Sequence, residues 1–331
     1  MNRMNADNPL DISQSAQVSA VEQALTKVCS YLNHGCKDGY WSYVTGKGPS
    51  TEATVWCALA LYAANEKTSA REIATNFLLK NQNKDGGWST APVIGQSEWC
   101  TGPALLALRI FIDAERDTKK LKAMEAAIAK AYSFLFDMRV ELYRASARLV
   151  LLLLGGVNAL HYGRGWPWNA KCSHWVEPSS YALYALKVMG IPDYVGIKAA
   201  VNFANDYFYE HACADGGWNH GAHKTLGVDL PSYAVTTGEA LVALQDSKEK
   251  SIIDAALKRL QTNHNDNDTA LALSWAILAF DLHHVDYSDK LNKLLRSQHK
   301  DGSFGPNNIV SAIASLALST ARGKNLLKIK T

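Results

Sequence analysis

Residues 77–88 read FLLKNQNKDGGW, a leucine-bearing polar segment that runs into two glycines and a tryptophan. The ending decides the reading: glycine after a stretch with helical spacing supplies the tight or left-handed backbone with which a helix stops. The same Asp-Gly-x-aromatic signature returns as Asp38-Gly39-Tyr40-Trp41, Asp215-Gly216-Gly217-Trp218 and Asp301-Gly302-Ser303-Phe304, with a degenerate Arg164-Gly165-Trp166 in between. Recurrence at intervals of tens of residues marks a chain built from copies of one unit.

Each turn is followed by an Ala/Leu-rich segment, and six can be counted: 56–64, 102–110, 180–188, 238–246, 273–281 and 312–320. Small residues let helices approach closely and the composition favours helix, so all six are expected to be buried helices. Before each turn lies a more polar amphipathic stretch, at 17–33, 69–82, 118–139, 193–211, 250–262 and 288–298. In LKRLQ (257–261) and LNKLLRSQ (291–298) the leucines fall three and four apart, leaving the cations to water. Six apolar and six polar helices satisfy their burial if the first set forms an inner ring and the second an outer ring. The expected fold is therefore all-α, an (α/α)6 barrel or toroid. It occupies a single domain over 17–322, flanked by an N-terminal tail at 1–16 and a basic C-terminal tail at 323–331, with a helical insertion at about 141–163. The tryptophan of each turn is expected to wedge against the adjacent outer helix.

Bulk properties narrow the function classes. The chain of 331 residues is 47% hydrophobic and 20% charged, the balance of a globular protein rather than a disordered one. Its 34 basic and 31 acidic residues are interspersed and leave a net +3, which does not indicate nucleic acid as a partner. The first twenty residues lack the apolar core of a secretory signal, and Leu149–Leu154 is far too short to span a membrane. The six cysteines form no CxxC pair, so reduced thiols and a cytoplasmic location are expected. No Gly-rich phosphate loop and no Gly-x-Ser-x-Gly elbow is found.

FLLKNQNKDGGW (77–88), with Gln82, Gly86 and Trp88, and LLRSQHKDGSF (294–304), with Gln298, Gly302 and Phe304, resemble the QW motif of squalene-hopene and oxidosqualene cyclases. With GWPW (165–168) and WVEPSSYALYAL (175–186), nearly the whole chain is similar to the squalene cyclase and prenyltransferase repeat proteins. The resemblance implies an α/α toroid but no single reaction, because that toroid serves cyclases, protein prenyltransferases and non-catalytic modules. Full-length squalene-type cyclases carry two such domains. Six repeats make one, so a closed cavity would need a protein partner to cap the pore.

The resemblance also directs attention to acids. Class II terpene cyclases protonate an alkene or epoxide with the middle Asp of an Asp-x-Asp-Asp-Thr-Ala segment, and here the corresponding stretch is Asn265-Asp266-Asn267-Asp268-Thr269-Ala270. The donor position holds Asn267, which leaves Asp266 or Asp268 as a shifted acid, or Asp268 as the cap of the fifth inner helix. Glu52, Glu98 and Glu177 occur near the starts of other inner helices. They could ring one mouth as acids or simply favour helix N-termini, at about 0.3–1 kcal/mol each. Glu177 has the richest surroundings, with His174, Trp166, Trp168 and Trp175 close in sequence. Indole faces exclude water and stabilise cationic charge, and Trp56, Trp99 and Tyr233 could extend the lining.

The preferred expectation is metal-independent, acid-initiated cyclisation or isomerisation of a polyprenyl or other apolar, isoprenoid substrate, with no cofactor. Glu177, Asp268 or Asp266 would donate the proton, His174 would tune it, and Trp166, Trp168, Trp175 and Trp99 would form the wall. One alternative is a zinc-dependent prenyltransferase. The β subunits of protein prenyltransferases hold zinc with an Asp, a Cys two residues later and a distant His, which Glu98, Cys100 and one of His174, His220 or His223 could reproduce. The other is a non-catalytic toroid that binds an isoprenoid or a protein. Leu149–Leu154 could add a peripheral membrane contact or an apolar lid.

Overall fold

The computed structural model describes residues 9–65, 67–140, 164–169, 172–193, 196–262 and 268–330. They contain twelve α-helices: α1 (Pro9–Gly35), α2 (Thr51–Ala64), α3 (Ala70–Asn81), α4 (Thr101–Phe111), α5 (Thr118–Val140), α6 (Val176–Lys187), α7 (Ile197–Glu210), α8 (Ala234–Ala243), α9 (Lys250–Gln261), α10 (Ala270–Leu282), α11 (Ser288–Arg296) and α12 (Asn308–Ala321). The even-numbered helices are the Ala/Leu-rich ones and are buried nearly all round; in α4 and α6 every residue is buried. The odd-numbered helices bury one stripe: α9 hides five residues from Ile253 to Leu260, and α11 hides Lys290, Leu291 and Leu294. A helix apolar on all sides belongs in the interior and an amphipathic one at its edge, so composition alone assigns each helix its layer.

Neighbour contacts run in a closed cycle: α2 packs on α4, α4 on α6, α6 on α8, α8 on α10, α10 on α12, and α12 back on α2. Among the odd set, α1 lies against α2 and α12, α3 against α2 and α4, α5 against α4, α7 against α6, α9 against α8, and α11 against α10 and α12.

One bonding pattern recurs at the turns. The backbone N–H of Trp41, Trp88, Trp166, Trp218 and Phe304 donates to a hydroxyl on the following even helix: Thr54, Thr101, Ser179, Thr237 and Ser311. The indole N–H of each tryptophan donates to a carbonyl near the end of the preceding odd helix, as Trp88 does to Leu78 at 2.9 Å. The tryptophan therefore locks its own helix pair together; the expected wedge against the adjacent outer helix is supplied by other atoms. Gln82 Nε2 donates to Ala127 O of α5 at 2.8 Å, and Gln298 Nε2 to Ala24 O of α1 at 2.9 Å. Gly86, at φ +95°, lies so close to α5 that a Cβ would sit 2.4 Å from the Lys130 carbonyl oxygen.

The two tails differ from expectation. Helix α1 already begins at Pro9, a residue suited to a first helical turn, so residues 9–16 are helical. At the other end, Leu327 is fully buried, Ile329 N donates to Gln245 Oε1 and Lys330 N to Val188 O, each at 2.9 Å. The leucines and isoleucine interspersed among the lysines dock the segment. The expected helical insertion at 141–163, with Leu149–Leu154, lies outside the described residues. No described helix is long and apolar enough to cross a membrane. All six cysteines are free.

The even helices finish together at one end, where buried cations meet their last carbonyls. Arg109 of α4 donates to Ala185 O and Leu186 O of α6 at 2.7 and 2.6 Å, and to Gly190 O at 2.6 Å. Lys187 of α6 donates to Ala243 O of α8 at 3.1 Å, Asp246 at 2.6 Å and Asn205 at 2.9 Å. Positive charge at helix C-termini is favourable.

Candidate active site

The even helices begin at the opposite end, beside the glycine turns, and carry acids there. Glu52 and Glu177 are the second residues of α2 and α6, and Glu239 lies inside α8, about one turn below its start. All three carboxyl groups act on one phenol. Tyr181 of α6 is held strongly in its neutral form by burial, then by the charges of Glu239, Glu52 and Glu177. Its Oη donates to Glu239 Oε1 at 2.6 Å.

Burial governs how these acids titrate. It pushes Glu52 up to about 8, although that residue keeps some accessible surface. Glu239 is raised well above the usual carboxylate range, first by burial and then by the Glu177 charge. Glu177 is also raised by burial, opposed by His220, whose Nδ1 is hydrogen-bonded to Glu177 Oε1. The His220 carbonyl accepts from Val176 N at 3.1 Å, so the loop of 213–233 is fastened to the start of α6 and holds the imidazole over the carboxyl.

Aromatic rings connect the rim to the interior. Tyr233, His220, Trp175, Trp168, Trp99 and Tyr181 follow one another with centroid separations of 5.2, 5.8, 6.4, 4.8 and 5.9 Å. Below them Trp56 of α2, Tyr181 of α6 and Trp275 of α10 meet at 5.7, 6.3 and 5.8 Å, each at most 8% exposed. Side chains from three alternate even helices thus fill the middle, which is closed by packed rings rather than an open pore. A cleft of about 460 Å³ lies elsewhere, lined by Glu22, Cys29, Asn33, His34 and Arg322, and holds none of these acids.

Several residues named from sequence are placed otherwise. Asp268 points outward, its side chain 59% exposed and paired with Lys293 at 3.0 Å. The cap of α10 is Thr269, whose hydroxyl accepts from Ala272 N at 3.2 Å. Asp266 lies outside the described residues. Trp166 is buried at a turn with its indole bonded to Leu135 O, so it fastens a helix pair instead of joining the array of rings. The partner of Glu177 is His220; His174 packs its ring against Tyr207 of α7 at 6.4 Å.

The zinc set does not fit. Glu98 Oε2 accepts from Thr90 N and Oγ1 at 3.3 and 3.1 Å, and the fully buried Cys100 thiol is pushed well up by burial and by Glu52 and Glu98. His220 is engaged by Glu177, and His223 lies beside His211 at 5.8 Å. No group of three His, Cys, Asp or Glu placed to hold a metal occurs among the described residues.

Glu239, Tyr181 and Trp275 were not singled out from sequence. A glutamate near the start of the apolar stretch GEALVAL (238–244) was the available signal, since an unpaired charge in an apolar helix is costly.

No known protein family and no curated protein matches the chain by sequence. Its structure is similar to that of the type II terpene cyclase MstE from Scytonema. A variant of MstE bound to its substrate, geranylgeranyl dihydroxybenzoate, superposes with TM-score 0.59 at 13% identity, covering 94% of this chain and 99% of that one. Another variant, bound to the product merosterolic acid A, gives 0.58 at 14% identity with the same coverage. A protein from Actinoplanes gives 0.57 at 15%, covering 92% and 98%. The chain thus has the fold of type II terpene cyclases.

Proposed function

We propose that the cycle of helices is an (α/α)6 toroid and that the protein is a terpene-cyclase-like enzyme, cyclising or isomerising an isoprenoid substrate by proton transfer in a cup walled by these aromatic rings. The observation that carries this reading is the convergence of Glu52, Glu177 and Glu239 on Tyr181 beneath a wall of rings. Carboxyl groups whose pKa burial raises, as it does for Glu52, Glu177 and Glu239, are suited to general acid–base work. A proton added to an alkene carbon leaves a cation, which the faces of Trp99, Trp168 and Trp175 stabilise while excluding water. Loss of a proton from a neighbouring carbon then gives an isomer of the substrate, with no net consumption of acid. Glu177 is the acid–base group nearest solvent, and His220, 54% exposed in its side chain, exchanges its proton with water. The substrate class follows from MstE, whose ligands carry or derive from a geranylgeranyl chain.

The test is incubation with geranylgeranyl dihydroxybenzoate and simpler polyprenyl compounds, followed by mass spectrometry for products of unchanged mass. Turnover by the wild type, lowered about 10²- to 10⁴-fold in Glu177→Gln, is expected. Binding without turnover of any prenyl compound would assign the protein to the non-catalytic binders.

A further inference from the structure

Buried polar atoms without a partner are rare, because each forfeits its bond to water. Among the described residues they include Trp56 Nε1, Glu177 Oε2 and Glu239 Oε2 around the proposed cup and two phenols, Tyr184 and Tyr207. The contrast among tryptophans is sharp: Trp41, Trp88, Trp166 and Trp218 all donate their indole N–H to a carbonyl, whereas Trp56, fully buried on the cup floor, does not. Glu239, 4% exposed, has one oxygen engaged by the Tyr181 hydroxyl and the other unmatched.

From this geometry we propose that Glu239, oriented by Tyr181, is a second acid at the floor of the cup, delivering the starting proton to the deepest carbon of the substrate, while Glu177 and His220 at the rim take a proton away. The proposal rests on the cyclase reading above. Because Tyr181 Oη donates to Oε1, the proton of a neutral Glu239 sits on Oε2, the atom with no protein partner. Burial and then the Glu177 charge favour this protonated form. Transfer breaks the Oε2–H bond and forms a C–H bond at the alkene. The carboxylate left behind is stabilised by the Tyr181 hydroxyl. The second proton passes from the cation to Glu177 and through His220 to water. Glu239 then regains a proton from solvent water once product has left, which balances the proton released through His220. Tyr181 is a positioning residue: it fixes which oxygen carries the proton.

Two measurements test this. In infrared difference spectra, the wild type is expected to show carbonyl bands of protonated carboxylic acids, one of them from Glu52 and removed by Glu52→Gln; the band that remains in that variant disappears on further Glu239→Gln substitution and shifts in Tyr181→Phe, where its hydrogen bond is lost. With prenyl substrate, Glu239→Gln is expected to lose at least a hundredfold in turnover while tryptophan fluorescence still reports binding. Glu177→Gln should still consume substrate in a single turnover but release an altered product mixture. Retained turnover in Glu239→Gln, or a band unchanged by that substitution, overturns the assignment and leaves the cyclase reading standing. A wild type that binds prenyl compounds and turns over none removes the cyclase reading and the assignment with it, even if the infrared band is present.

Discussion

The two ends of the even-numbered helices are built from the same kind of material, charged side chains buried among helix termini, and treat it in opposite ways. At the C-terminal end Arg109 and Lys187 are each given three oxygen acceptors, and burial lowers both pKa values. At the N-terminal end Glu177 and Glu239 each retain an oxygen with no partner among the described residues. A buried charge that is fully paired holds a structure together. One left partly unmatched costs stability and is retained for a ligand.

That contrast can be broken most severely at the first end. Lys187→Met leaves Asp246 and the α8 carbonyl without their cation, and is expected to lower stability by about 3 kcal/mol in denaturant unfolding. Glu177→Gln should instead be close to neutral in the same experiment; a large loss there would show that the acids are structural after all. The next effect is on pH dependence. Glu52 titrates near 8 in the folded chain and near 4.5 when unfolded, so the folded state holds the extra proton between those values. Its contribution is fully present below about 4.5 and is lost as pH rises through 8. Glu52→Gln should flatten the decline of stability over that window, by at most about 1.4 kcal/mol per pH unit, less for screening at its accessible surface. The smallest effect sharpens the comparison. Trp88 lies near the acids but its indole N–H is satisfied by Leu78, so Trp88→Phe should cost only about 1 kcal/mol, as a lost buried hydrogen bond does. Phe304 already fills that place in the last turn without an indole.

The layer of each helix was legible because it depends on local composition: WCALALYAA and LNKLLRSQ cannot exchange places without exposing apolar surface or burying lysines. Glu177 was legible from its neighbouring tryptophans. Its true partner was not, since His220 is 43 residues away and reaches it only when the loop is fastened to α6. Glu239 was hidden for the same reason, Tyr181 being 58 residues distant. Asp268 was overvalued because a motif was followed instead of its nearest cation, Lys293 on the adjoining helix. The docked C-terminal segment was misjudged from its lysines, although its apolar residues decide where it lies.

Gln298 ties the end of α11 to Ala24 of α1, partners 274 residues apart. On a ribosome, that clasp cannot form until almost all of the chain has emerged, so the first helix must wait with one flank uncovered while the others are made. Loop-closure entropy of this size makes the last step of assembly slow and leaves a hydrophobic seam exposed in the interim. A truncation that ends before Gln298 should therefore be a sticky, chaperone-dependent species rather than a smaller stable one.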